Sequence, residues 1–250
     1  MIDLSGRTAL VTGGSRGVGA ATAILLARAG ADVAVTFHTR AQDAEATARE
    51  IRSLGRRAYV GGGDLSDPKV VDRIFSGVRS EFGALDIFVA NAGIWPAEET
   101  PLRKMSAGRW QGTMAANLDS IFLTTRAALG LMDHGGTVVF VSSTAAQRGE
   151  ANHADYAASK GALLALTKSL AVECAPGVTV NCVAPGWIDT EMSATAFEGG
   201  GRDRVASTIP LRRIATADDV AGPILFLCSP LARHITGEVL NVNGGSVLCG

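Results

Sequence analysis

Tyr156 and Lys160 stand four residues apart in Asp155-Tyr156-Ala157-Ala158-Ser159-Lys160, and Ser143 precedes the tyrosine by thirteen. Residues i and i+4 share one face of a helix. A phenol with a pKa of ~10 is a poor acid–base group near neutral pH. An ammonium held beside it favours the phenolate and lowers that pKa. The spacing therefore suits a tyrosine general acid/base tuned by a lysine. A second signature, Thr12-Gly13-Gly14-Ser15-Arg16-Gly17-Val18-Gly19, lies near the N-terminus. Its glycines let the backbone turn sharply and approach phosphates without a Cβ clash. One segment suits holding a dinucleotide, and the other suits moving a proton at its reactive end.

Such residues need a frame, and the chain supplies an alternating one. Short β-branched runs stand at 8–11, 33–36, 58–60, 87–89, 137–141, 178–183 and 239–242. Between them lie amphipathic stretches at 20–29, 41–54, 69–82, 109–131, 156–174 and 217–228. Strands separated by helices predict parallel βαβ units with right-handed crossovers. The nearly continuous apolar character of the strands predicts a sheet covered on both faces. The expectation is one doubly wound α/β domain over residues 1–250, of Rossmann type, with a mostly parallel seven-stranded sheet. The glycine signature then falls between a strand and a helix, the context such a motif requires. The helix start would present free N–H groups and a positive dipole end to a pyrophosphate. One composition break, polar and glycine-rich, spans 187–207 and reads as a mobile lid with helical pieces.

The bulk composition narrows the partners. A net charge of -1 gives no electrostatic case for nucleic acid or an anionic membrane surface. No apolar run reaches the ~18 residues of a membrane span, and no secretory signal is expected at the N-terminus. Cys174, Cys182, Cys228 and Cys249 lack CxxC spacing and read as reduced thiols of a cytoplasmic protein. His38, His134, His153 and His234 are scattered, so no metal site is expected.

With the two signatures in order, the chain resembles the short-chain dehydrogenase/reductase family. The likeness runs from Gly6-Arg7-Thr8-Ala9 to Asn241-Val242-Asn243-Gly244-Gly245. The family's TGxxxGxG motif matches Thr12 to Gly19, which places Gly13, Ser15, Arg16, Gly17, Val18 and Gly19 at the cofactor. Its NAG motif matches Asn91-Ala92-Gly93, and its adenine-contacting acid matches Asp64, followed by Leu65. Its PG motif matches Pro185-Gly186, with Ile188 and Thr190 at positions that meet the nicotinamide carboxamide. The resemblance implies a catalytic tetrad of Asn117, Ser143, Tyr156 and Lys160. Ser143 would donate to the substrate oxygen and Tyr156 would exchange the proton. Lys160 would tune the tyrosine and bond the nicotinamide ribose, and Asn117 would hold a water in a relay to Lys160.

The choice of cofactor falls after the second strand. An NAD-binding relative usually places an acid there for the ribose 2′-OH. Here that place holds Phe37, no carboxylate follows until Asp43, and Arg16, His38 and Arg40 cluster instead. A 2′-phosphate would find cations, so NADP is expected over NAD. Candidate substrate residues are Trp95, Gln147, His153 and Trp187, with Ile94, Met192 and Phe197 beside them. The expected reaction is reversible hydride transfer between the nicotinamide and a carbonyl or secondary alcohol of a small molecule. A 3-oxoacyl-[acyl-carrier-protein] reductase is the rival enzyme. A cofactor-binding regulator or scaffold is the rival from another class. The segments before the fifth and sixth strands, Met132-Asp133-His134-Gly135-Gly136 and Glu173-Cys174-Ala175-Pro176-Gly177, lack the basic residues that flank the entrance in carrier-protein reductases. Apolar residues on more than one face of 109–131 and 156–174 predict a homo-oligomer, and the family likeness makes it a homotetramer.

Overall fold

The structure is a computed structural model that describes residues 2–248. Cys249 lies outside the described residues. The β-branched runs form β1 (Thr8–Val11), β2 (Asp32–Phe37), β3 (Ala58–Gly62), β4 (Ile87–Ala90), β5 (Gly136–Val141), β6 (Val178–Pro185) and β7 (Val239–Val242). Among the described residues these seven strands make one sheet in the order β3-β2-β1-β4-β5-β6-β7. Every neighbouring pair in it is parallel. The connecting helices are α1 (Gly17–Arg28), α2 (Ala41–Ser53), α3 (Pro68–Phe82), α4 (Ala107–Met114) and α5 (Ser120–Leu129). They continue with α6 (Ala145–Arg148), α7 (Ala154–Glu173), α8 (Gly201–Thr208) and α9 (Ala217–Leu227).

Side chains alternate across a strand, and the two faces of the sheet use that alternation to build two cores. Ala9, Val11, Val33, Val35 and Val89 face one side and meet Leu26 of α1, Ile51 of α2 and Ile224 of α9. Leu10, Ala34, Phe88, Phe140 and Val180 face the other and meet Ile74 of α3, Ile121 of α5 and Leu163 of α7. Each such fully buried aliphatic or aromatic side chain contributes ~1.5–3 kcal/mol relative to exposure. The strand order turns between β1 and β4. In doubly wound sheets a crevice opens there, beyond the carboxyl ends of the strands.

One region differs from the sequence pattern. The stretch 109–131 is not one helix: α4 ends at Met114, a wide π-helical turn covers Ala115–Asp119, and α5 continues from Ser120. The interruption falls on Asn117, and π turns inside helices often mark functional positions. The helical pieces expected in 187–207 are a 3-10 helix, Glu191–Phe197, and all but the last residue of α8. Gly199 and Gly200 join them with φ of +55° and +78°, where a side chain would be strained. Among the described residues no helix is long and apolar enough to cross a membrane.

Candidate active site

A cleft of about 570 Å³ opens over the carboxyl ends of β1, β4 and β5. One end is built by the loop between β1 and α1, where Gly13, Ser15, Arg16, Gly17 and Val18 all line the cleft. The loop is braced from beneath. Asn91 Nδ2 donates to the carbonyls of Thr12 at 3.0 Å and Gly13 at 3.3 Å. The amides of Asn91 and Ala92 both donate to Thr12 Oγ1 at 3.0 Å. Gly19 is not a lining residue: a Cβ there would lie 2.2 Å from the Gly13 carbonyl oxygen. Its role is close packing of α1 on the loop. The first turn of α1 carries no acidic residue, so its free N–H groups meet no competing carboxylate on their own helix. This donor set fits a pyrophosphate.

The adjoining part of the cleft is lined by His38, Arg40, Asp64 and Leu65. Asp64 is held by the backbone amide and hydroxyl of Ser66, at 2.9 and 2.8 Å. Those bonds keep its carboxyl below the usual range. Arg16 and Arg40 both reach Glu191, a residue with no place in the sequence argument. Arg16 and Glu191 are 175 positions apart, so no local pattern could reveal the contact. Asn91, Ala92, Gly93, Pro185, Gly186, Ile188 and Thr190 line the middle of the cleft.

At the far end, Ser143, Tyr156 and Lys160 are brought together from the end of β5 and the first turns of α7. The Ser143 hydroxyl and the Tyr156 phenol both line this end, and the serine favours the ionised form of the phenol. Lys160, however, does not donate to that phenol: its Nζ donates to the carbonyl of Val141 at 2.9 Å. Burial pushes the Tyr156 phenol up to about 12, Ser143 opposes the rise, and the negative charge of Glu150 adds to it. Burial also depresses the Lys160 ammonium to about 8. Desolvation governs both groups, so the Tyr156 phenol stands above its ordinary value and the Lys160 ammonium below its own.

Asn117 is fully buried behind this end and does not line the cleft. Its side chain is spent on structure. Oδ1 accepts from the amide of Ile94 at 2.7 Å, and Nδ2 donates to the carbonyl of Ile94 and to Ser159 Oγ. The N-terminus of α7 is fixed by Asp155, fully buried, which accepts from Thr113 Oγ1 at 2.8 Å and Arg109 Nε at 3.1 Å. Burial raises that carboxyl, but these bonds and the amide of Tyr156 outweigh it and hold the group ionised. The only sequence signal for Asp155 was its place beside the tyrosine.

Of the predicted substrate residues, Trp95 and Trp187 line the cleft and Gln147 and His153 do not. Gln147 points away, its amide donating to Asn241 Oδ1 at 2.6 Å. His153 is buried behind Trp95, with the rings stacked 4.8 Å apart. Ile94 and Met192 line the main cleft, while Phe197 lies outside it, against Trp187 at 5.8 Å. Trp187 in turn meets Trp95 edge-on at 6.0 Å. Glu150, missed in the sequence, lines the cleft and accepts from Trp95 Nε1 at 3.1 Å. Beside Tyr156 the cleft thus has an aromatic wall with the Glu150 carboxylate bonded to it.

A family model described as enoyl-(acyl carrier protein) reductase matches residues 13–246. The chain belongs to the short-chain dehydrogenase/reductase family. It is 40% identical over 244 residues to an uncharacterized oxidoreductase of Escherichia coli, YgfF, covering 95% of this chain and 98% of that one. It is 37% identical to a 3-oxoacyl-[acyl-carrier-protein] reductase of Synechocystis, covering 99% and 100%. A solved short-chain dehydrogenase from Burkholderia cenocepacia, in complex with NADP, superposes with a TM-score of 0.91 at 39% identity, covering 97% and 98%. This short-chain dehydrogenase/reductase is an oxidoreductase acting with a nicotinamide cofactor on CH–OH or C=O groups. One cleft joins the glycine loop to Ser143, Tyr156 and Lys160.

Proposed function

We propose that the enzyme is a cytoplasmic, NADP-preferring reductase or dehydrogenase of a small free carbonyl or alcohol, with Ser143, Tyr156 and Lys160 at the reaction centre. The observation that carries the reading is one cleft with Arg16 and Arg40 at one end and the Ser143–Tyr156 pair at the other. When bound, the cofactor supplies or accepts the hydride. In reduction, Ser143 donates a hydrogen bond to the carbonyl oxygen and stabilises the charge developing there. Tyr156, protonated at neutral pH, is then the acid that delivers its proton to that oxygen. Lys160, depressed to about 8, sits close enough to neutrality to take up or release a proton at the inner end of the cleft. Asn117 acts on this centre by position, since it holds Ile94 and the segment carrying Gly93 in place.

Ser143, Tyr156 and Lys160 present together argue against a scaffold that has lost turnover. The carrier-protein reductase reading has support in the named relatives. Against it, the segments before β5 and β6 carry no lysine or arginine to meet an acidic carrier. NADPH oxidation against a panel of ketones, β-ketoesters and sugars, with NADH in parallel, tests the main reading. No turnover on any carbonyl would overturn it. A hundredfold gain in kcat/KM from a carrier-bound β-ketoacyl chain over its short free thioester, falling with salt, would establish the carrier.

Two further features complete the proposal. Residues 187–207 act as a lid: Trp187 and Phe197 rest on the aromatic wall, while Met192 remains 46% exposed. Hydrogen exchange that is already slow without cofactor would exclude it. The enzyme is a homotetramer. Phe122 of α5 and Val172 of α7 are 55% and 81% exposed, apolar surface that a two-fold interface would cover. A monomer in sedimentation at micromolar concentration would contradict this.

A further inference from the structure

Arg16 and Arg40 converge on a single carboxylate. Glu191 Oε2 accepts from Arg16 Nη1 and, at 3.1 Å, from Arg40 Nη2. Arg40 also faces Asp43 at 3.6 Å, within its own first helical turn. Glu191 opens the 3-10 helix of the lid, and that start is fixed by reciprocal bonds between Thr190 and Ser193. Thr190 lies against the glycine loop, its Cγ2 3.4 Å from where a Cβ on Gly17 would stand. The lid is therefore tied to the phosphate end of the cleft, not only to the aromatic end.

A carboxylate and a phosphate monoester compete for the same guanidinium donors, because both are held by charge-assisted hydrogen bonds. Both cannot occupy one pair of arginines without like-charge repulsion. We propose that Glu191 is an internal anion standing in the place of the cofactor's 2′-phosphate, and that the phosphate must displace it to bind. Entry of the phosphate then releases the first turn of the lid helix. A cofactor without that phosphate leaves Glu191 on the arginines and their charge neutralised. Glu191 thereby narrows the discrimination between NADP(H) and NAD(H) that Arg16 and Arg40 create. This rests on the reading of Arg16 and Arg40 as the 2′-phosphate site. The side chains of Arg16, Arg40 and Glu191 are about half exposed, at 47%, 50% and 59%. Solvent screens such pairs, so the expected effect is several-fold.

The test uses two probes that lack nicotinamide, adenosine 2′,5′-bisphosphate and 5′-AMP, titrated calorimetrically into the wild type, Glu191→Gln and Arg40→Gln. Glu191→Gln keeps the shape and removes the charge. It is expected to bind the bisphosphate about three- to tenfold tighter, with 5′-AMP changed by less than about twofold and the gain shrinking as salt rises. In the wild type the bisphosphate, and not 5′-AMP, is expected to speed hydrogen exchange across Glu191–Phe197. Unchanged or weaker bisphosphate binding in both Glu191→Gln and Glu191→Ala, with wild-type melting temperatures, would overturn the proposal. The phosphate-site reading fails separately, if the wild type binds the two probes alike and Arg40→Gln changes neither. In that event discrimination that emerges only in Glu191→Gln still supports the displaced anion, and its absence there sinks both.

Discussion

The Lys160 ammonium donates to the carbonyl of Val141 at 2.9 Å and stands 6.0 Å from the centroid of the Tyr156 ring. Two groups one helical turn apart are thus adjacent without being bonded. Each is dominated by its own desolvation, the phenol pushed up to about 12 and the ammonium down to about 8. The tyrosine is protonated near neutral pH, the form that the proposed reduction uses. Lowering its pKa for oxidation needs positive charge brought nearer, and a bound cofactor that reoriented Lys160 would do so.

The first prediction is a titration. The chain has two tyrosines, so subtracting Tyr156→Phe from the wild type isolates Tyr156 in an ultraviolet phenolate titration. In the ligand-free protein its phenolate should appear only well above pH 10, and saturating cofactor should move it downward. A phenolate forming near neutral pH without cofactor would show that Lys160 already tunes it. The signs for stability follow by linkage. Lys160 binds a proton more weakly folded than unfolded, so its penalty is constant below pH 8 and is relieved as pH rises from 8 towards 10.5. Tyr156 holds its proton more tightly folded, so its contribution falls as pH rises from 10 to 12.

Removing the proton donor itself gives the second prediction. Tyr156→Phe keeps the ring and its packing and loses only the hydroxyl that shares this end of the cleft with Ser143. Turnover should fall by about three orders of magnitude while the Kd for the nicotinamide cofactor changes less than about threefold. A variant that keeps more than about a tenth of the wild-type kcat would remove Tyr156 from the acid–base role.

What the sequence disclosed and what it hid divide along one physical line. The strands, the glycine loop and the Tyr156–Lys160 face follow local rules of period and turn chemistry, and residues 8–11 and 239–242 form strands with those bounds. The hidden features depend on partners distant in the chain. No proline or glycine marks Ala115–Asp119, yet the helix widens there, where the Asn117 side chain meets Ile94 and Ser159. Gln147 had the right position for the cleft, but Asn241, 94 residues on, captures its amide. Lys160 had the right spacing for Tyr156, but an open backbone carbonyl of β5 lies within its reach. Spacing assigns a face of a helix, and competition among buried acceptors assigns the bond.

That competition makes Asn117 a separate target. Asn117→Ala removes one acceptor and two donations at a buried position, a cost of about 1–3 kcal/mol. For a chain of this length the melting temperature should drop by roughly 2–10 °C. Because the freed segment carries Gly93 along the cleft, kcat should fall more than KM rises. Scanning calorimetry and steady-state kinetics check both, and a variant with wild-type melting and turnover would show that the Ile94 clamp does not position the site.

The last prediction separates close packing from cofactor contact in the glycine loop. A Cβ at Gly19 would lie 2.2 Å from the Gly13 carbonyl oxygen and 2.6 Å from Asn91 Nδ2. Backbone cannot yield as a side-chain tip can, so Gly19→Ala must push α1 off the loop and break the Asn91 brace. Gly17 differs: φ is +55°, and the nearest atom to a new Cβ is Thr190 Cγ2 at 3.4 Å. Gly17→Ala carries a left-handed backbone penalty of about 1–2 kcal/mol but no collision. Gly112, exposed on α4 with open space around it, is the control, where alanine should be neutral or stabilise by up to about 1 kcal/mol. Gly19→Ala should therefore lose both stability and nucleotide binding, and Gly17→Ala should keep the fold while binding weakens. Calorimetry with cofactor titration distinguishes them. If Gly19→Ala folded and bound as the wild type does, the loop would have slack that the 2.2 Å approach denies.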